Sequence, residues 1–220
     1  MEDLTIQQVW KAENQKLEQI LAINRQLLSE IISQKAASAV AALIRFKTRA
    51  IVAAAIYLMI LGSLLIYPIA HYSAAANYFI VSMGAIFLIN VKALADYIKH
   101  LVWAGNIDFS GSVTTIQEKL TAIQLSIFKH TRIMVLQFPF WTTFYLSNQW
   151  FPENISWAYI ALQLVITGFF TWLAIWLFRH LRIENAHNKW VKIFIEGAGG
   201  KPLLQALAFY QEIEDFKAEN

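Results

Sequence analysis

Cysteine is absent from this 220-residue sequence, and charge is scarce. The first absence excludes a disulfide framework, a thiolate metal site and a thiol nucleophile. The second says more: 15% of the residues are charged, against ~25% in an ordinary soluble domain. Hydrophobic residues make up 57% and aromatics 14%. Too little polar side chain remains to face water everywhere, so lipid has to cover part of the surface. Charge is missing altogether from four runs, 50–70, 72–91, 133–152 and 154–178. Each is near the ~20 residues that carry a helix through hydrocarbon ~30 Å thick. Lys and Arg are also missing from the connections 67–72 and 148–155, where His71 and Glu153 stand instead. All eighteen Lys and Arg lie on the other side, among them Arg45, Lys47, Arg49, Lys92, Lys99, Lys129, Arg132, Arg179 and Arg182. By the positive-inside rule the chain runs in, out, in, out, in, with both termini cytoplasmic.

The formal charge of +3 is small, and the basic residues are dispersed along membrane edges, where anionic headgroups attract them, rather than gathered in a stripe. Nucleic acid is therefore not an expected partner. The first 45 or so residues contain Glu2, Asp3, Glu13, Glu18 and Glu30, and no basic leader runs at once into an apolar core. We expect no cleavable signal peptide, and the first apolar run serves as an internal signal-anchor.

Glycine and proline are absent from 4–46, so one helix is expected to run from the N-terminal region into the first span, with Asp3 or Thr5 as its cap. On it Leu17, Ile20, Leu21, Leu27, Leu28 and Ile31 recur at spacings of three and four, leaving Lys16, Glu18, Arg25 and Glu30 largely off the stripe. Asn24 falls within the stripe at a coiled-coil core position, where a buried amide fixes register or simply interrupts an imperfect seam. Small residues fill 36–42 (AASAVAA), which suits close helix packing and helix continuity alike. The second span extends without a breaker to Gly105, and 106–112 (NIDFSGS) reads as a turn with Ser110 or Ser112 capping the next helix. The fourth span is expected to continue to about Glu196, break as a flexible hinge at 197–200, and resume from Pro202.

Trp10 to Leu17 (WKAENQKL), 107–112 (IDFSGS) before Ile116 to Leu120 (IQEKL), and Glu212-Ile213-Glu214 resemble segments of a family of uncharacterised bacterial inner-membrane proteins, some encoded beside sigma factors. The resemblance covers about half of the chain and contains no functional motif. It implies regulation by holding a cytoplasmic partner at the membrane, in the manner of an anti-sigma factor.

Residues fit for chemistry are few. No ionisable group sits at mid-membrane, which argues against ion coupling. The polar groups there are amides and hydroxyls such as Asn90, Gln137, Thr142, Gln163 and Thr167, and Gln137 and Gln163 are expected to bond across helices. His100, His130 and His180 all fall near the inner face, where they either converge as a zinc or titrating group or act as interfacial anchors beside Lys99, Lys129 and Arg179. Glu184 and His187 share a helix face as in di-iron bundles, but the second such pair those sites require is missing. The run 197–201 (GAGGK) lacks the rest of a phosphate loop, and neither G-x-S-x-G nor H-E-x-x-H occurs.

The expectation is an all-α, four-span transmembrane protein with a cytoplasmic helical bundle formed by helix extensions. Residues 1–48 form a cytoplasmic N-terminal helix, 49–91 and 133–178 two transmembrane hairpins, 92–132 a cytoplasmic helical hairpin and 179–220 cytoplasmic C-terminal helices. It is expected in the bacterial inner membrane as a non-enzymatic docking or oligomerisation module, with no cofactor and no metal. Its partners are the lipid bilayer and either a cytoplasmic protein or a second copy, contacted through Leu17, Ile20, Asn24, Leu27 and Ile31. The alternative is a small channel or transporter that works as an oligomer.

Overall fold

A computed structural model describes residues 2–218, and side chains over 10–209 except at 12, 15, 22, 25, 28 and 29. The side chains of Asp3, Thr5 and Leu28, and those of Glu212, Ile213 and Glu214, lie outside the described residues. Six α-helices are formed among the described residues: α1 Glu2–Ala70, α2 Asn77–Gly105, α3 Val113–Met134, α4 Trp157–His180, α5 Lys189–Ile195 and α6 Lys201–Ala218. Three stretches are long and apolar enough to cross a membrane, Glu30–Ala70, Ala74–Gly105 and Trp157–His180.

The sequence between Leu4 and Phe46 offers no breaker, and α1 accordingly runs unbroken for 69 residues, about 100 Å at the usual rise. Its two halves solve different problems. Toward the C-terminal half Val52, Ile56, Met59, Ile60, Leu64 and Ile66 face outward, the arrangement expected when lipid rather than water surrounds a helix. Behind them Leu61 and Leu65 meet Met83 and Ile86 of α2 in a small apolar cluster. Beyond the charge-free run Ile32, Ala36, Val40 and Leu43 form a buried face that joins Ile116, Leu120, Ile123 and Ile127 of α3, Val191 and Ile195 of α5, and Leu203 and Ala206 of α6 in one larger cluster. The small residues at 36–42 are thus where other helices approach α1.

The connection between α2 and α3 follows its sequence. Asp108 Oδ1 accepts from the backbone N–H and hydroxyl of Ser110, and Ser112 caps α3 by accepting from the Thr115 N–H at 3.3 Å. Three other elements depart from expectation. The run 133–152 is no continuous α-helix: it is 3-10 over Val135–Thr142 and then a series of turns to the start of α4. Pro139 has no N–H and its ring opposes the carbonyl four residues earlier, while Thr142 Oγ1 donates to Pro139 O at 2.7 Å. This segment still lies against α4 in antiparallel order. Arg132 Nε donates to Phe178 O at 2.8 Å, Thr142 meets Thr167 at 3.0 Å, Tyr145 donates to Gln163 at 2.8 Å, and Trp150 packs on Tyr159.

The second departure is that α4 ends at His180 instead of continuing toward Glu196. Asn185 Nδ2 donates to the His180 carbonyl at 2.9 Å, taking the acceptor that another helical turn would need. The stretch 197–200 is likewise a packed corner rather than a loose hinge. Gly199 has φ of 87° and its Cα faces the Phe46 ring so closely that a Cβ would stand 2.6 Å from two ring carbons. Only glycine fits that left-handed, crowded position.

Candidate functional site

Four polar pairs join α2 to the return formed by α3, the 3-10 segment and Thr143 just after it. Ser82 meets Thr143 at 2.8 Å, Asn90 Nδ2 donates to Gln137 Oε1 at 3.2 Å, His130 Nδ1 meets Asp96 Oδ2 at 3.1 Å, and His100 Nε2 meets Ser126 at 2.9 Å. Progress along α2 is matched by retreat along its neighbour, as antiparallel packing requires. The two pairs within the charge-free runs use only hydroxyls and amides. The ionisable pairs begin where those runs end. Gln163 completes the pattern on α4 by donating to Thr142 O at 2.6 Å and Thr167 Oγ1 at 3.0 Å. Both glutamines therefore bond between segments, as their sequence positions suggested.

Around the ionisable pairs the structure assembles a buried electrostatic cluster. Asp96 accepts from His130 and from Lys92. Lys47 of α1 is 0% exposed; its ammonium donates to Ala198 O in the α5–α6 corner at 2.7 Å and lies 4.5 Å from the Tyr97 ring centroid. It also interacts electrostatically with Asp96. A cation buried without such partners would be expensive. Lys47 thus ties three parts of the chain, α1, α2 and the corner before α6, to one charge.

The His130 ring stacks obliquely on Tyr97 at 4.8 Å and edge-on to His100 at 6.1 Å. Burial holds the pKa of its imidazole down to about 4; the hydrogen bond it donates to Asp96 opposes that shift and Lys47 adds to it. His130 is therefore neutral near pH 7 and its Nδ1–H is the donor to the carboxylate. His100 is fully buried, and its Nδ1 has no partner among the described residues. His180 stands apart from the other two histidines, stacked on Trp176 with Nδ1 2.8 Å from the Trp176 carbonyl oxygen. So two of these three histidines meet and the third serves its own helix end. Among the described residues no group of three His, Asp or Glu side chains is placed to hold a metal ion. Glu184 lies beside Arg182 and Lys129 in one cleft, and His187 lines another with Val191 and Leu204.

Sequence reasoning missed Asp96 and treated Lys47 as one more flanking cation. A signal was present: Asp96 is the only acid between Glu30 and Asp108. A lone carboxylate among Lys47, Lys92 and Lys99, four residues from His100, has to serve several cations at once.

The predicted contact residues lie elsewhere, on α1 before the bundle begins. Leu17 is 57% exposed, Ile20 56%, Leu27 51% and Ile31 50%, and Asn24 is exposed between them. The intervals from Leu17 to Ile31 alternate three and four, a heptad seam. The face that α1 buries, through Ile32, Ala36, Val40, Leu43 and Lys47, is turned away from this seam by roughly 140° at ~100° per residue. The packing that covers α1 inside the bundle therefore does not extend along the seam. No family model matches the chain, and no curated protein or solved structure does so either.

Proposed function

We propose that this is a four-span inner-membrane protein whose cytoplasmic helices form a docking module, with the N-terminal half of α1 as its contact arm. The antiparallel contacts of 132–150 with 159–178 support a third crossing beside α4. A 3-10 segment advances ~2.0 Å per residue rather than ~1.5 Å, so fewer residues cover the same depth. The distribution of Lys and Arg supports cytoplasmic termini. The bundle centred on Lys47 then sits at the inner face and holds α1 at a defined angle to the membrane.

The observation that carries the docking role is the exposed heptad seam through Leu17, Ile20, Asn24, Leu27 and Ile31, which faces away from the surface that the rest of the chain covers. A stripe of this kind outside lipid is satisfied by a second helix carrying a matching stripe, supplied by another copy or by a cytoplasmic protein kept at the membrane. Holding such a protein there would regulate it by location. Site-specific photo-crosslinking from position 23 in native membranes tests this. A crosslinked species is expected from the wild type, at twice the chain mass for self-association or at another mass for a heterologous partner. It should disappear in Leu17→Asp combined with Leu27→Asp. Unchanged crosslinking in the double variant would remove the seam from consideration.

A further inference from the structure

At the end of α3, where α4 gives way to the linker before α5, a cleft of about 200 Å³ is lined by Lys129, Arg132 and Arg182, with Glu184 at one side and Phe128 and Leu181 among its apolar walls. Three cations converge here against one carboxylate. Among the described residues none of the three is in an ion pair with Asp or Glu. Arg132 is held in place: Nε donates to Phe178 O at 2.8 Å and the guanidinium lies 4.4 Å from the Phe178 ring centroid. Neither contact neutralises its charge. Lys129 and Arg182 are exposed on either side of it.

Placement decides what such a cleft takes. Arg132 immediately precedes the charge-free run 133–152, and its hydrogen-bond acceptor, Phe178, is the last residue of the run 154–178. The cleft therefore lies at the depth of the lipid headgroups, and a basic pocket between membrane helices at that depth fits an anionic headgroup. Arg presents a planar fork to phosphate oxygens, whereas Lys adds a point charge. The apolar walls suit the glycerol and first methylenes of a chain that continues into the bilayer.

We infer that Lys129, Arg132 and Arg182 form a binding site for the phosphate headgroup of an anionic phospholipid. The inference rests on the chain crossing the bilayer with this end at the headgroup layer, and the test keeps the two apart. The full-length protein is reconstituted into phosphatidylcholine vesicles with and without one fifth phosphatidylglycerol, and lipid retained after mild detergent extraction is identified by native mass spectrometry. Failure to insert into either vesicle would defeat the membrane reading itself. With insertion, the wild type should retain phosphatidylglycerol well above its share of the mixture. Lys129→Gln combined with Arg182→Gln, which leaves the structural Arg132 in place, should reduce that enrichment on the order of tenfold, from the few-fold attraction that each basic group adds near a membrane surface. Lys189→Gln combined with Lys201→Gln removes the same charge from exposed positions away from the cleft and should leave it unchanged. Equal enrichment in the cleft variant, an equal fall in the control pair, or displacement of the lipid by millimolar inorganic phosphate would each overturn the assignment. The last result would make the site one for soluble phosphate.

Discussion

Lys47 and Asp96 act as a pair that neither their sequence separation nor a direct contact reveals, and a double-mutant cycle measures it. Lys47→Met keeps the length of a side chain that is 0% exposed but strips the charged donor from the partly buried Ala198 O, a loss of about 2 kcal/mol, as for a hydrogen bond made by a charged group. Asp96→Asn keeps the shape at α2 but leaves the Lys47 ammonium buried without its carboxylate and weakens the bond from His130. Removing one partner of a buried charge pair costs ~3–5 kcal/mol, and the side chain of Asp96 is 13% exposed, so the lower end applies, about 3 kcal/mol. In the double variant no buried cation remains to be orphaned. The asparagine then costs only the weakened bonds from His130 and from Lys92, whose side chain is 41% exposed, about 1 kcal/mol in all, and the total is about 3 rather than the additive 5 kcal/mol. Thermal unfolding in detergent, followed by tryptophan fluorescence, provides the assay. At about 3 °C per kcal/mol for a chain of this size, the Asp96 variant should lose about 9 °C, the Lys47 variant about 6 °C and the double variant about 9 °C. A double variant that loses the full sum, within about 0.5 kcal/mol, would show that the two charges do not interact and that the cluster is merely adjacent side chains.

Gly199→Ala should destabilise by about 2–3 kcal/mol, combining a left-handed backbone with overpacking against Phe46. Adding Phe46→Ala should restore the packing share in the same assay, and no restoration would mean that the corner is not pressed on that ring. His130 is neutral when folded, with its pKa at about 4 against ~6.5 in an unfolded chain, so the unfolded state takes up more protons as pH falls through that window. Its share of the stability is complete above pH ~6.5 and falls by about 2 kcal/mol on going from pH 7 to 5; His130→Gln should flatten the measured slope by that amount, and an unaltered slope would refute its burial as a neutral base. Alkaline phosphatase fused after His71 or after Glu153 should be active and fused after Gly105 inactive, and any other pattern would contradict four crossings.

Much of this architecture is local, which explains how far the sequence alone could go. Charge-free runs of sufficient length mark membrane segments because lipid is a uniform solvent: each segment meets the same requirement whatever its neighbours are. The unbroken α1, the turn at Asp108 to Ser112 and the apolar face of α3 follow from propensity, capping and spacing within a few residues. The seam from Leu17 to Ile31 is local in the same sense, a periodicity carried by one helix.

The departures arise where a distant group or a nearby side chain competes for a backbone partner. Thr142 and Pro139 turn an apolar run into a 3-10 segment, Asn185 ends α4, and the Phe46 ring presses on Gly199. A lysine near the end of an apolar run looks the same in sequence whether it reaches headgroups or a carbonyl inside the bundle, because both placements satisfy its charge. The amino-acid sequence by itself determined which segments are apolar and free of charge, which connections lack Lys and Arg, and where a helix carries an apolar stripe. Only the tertiary structure decided that Lys47 lies inside, that Asp96 is shared by His130, Lys92 and Lys47, and that His100 and His130 meet while His180 does not. Hydrophobic periodicity is written along one helix, whereas the pairing of buried charges depends on which helices the fold brings side by side.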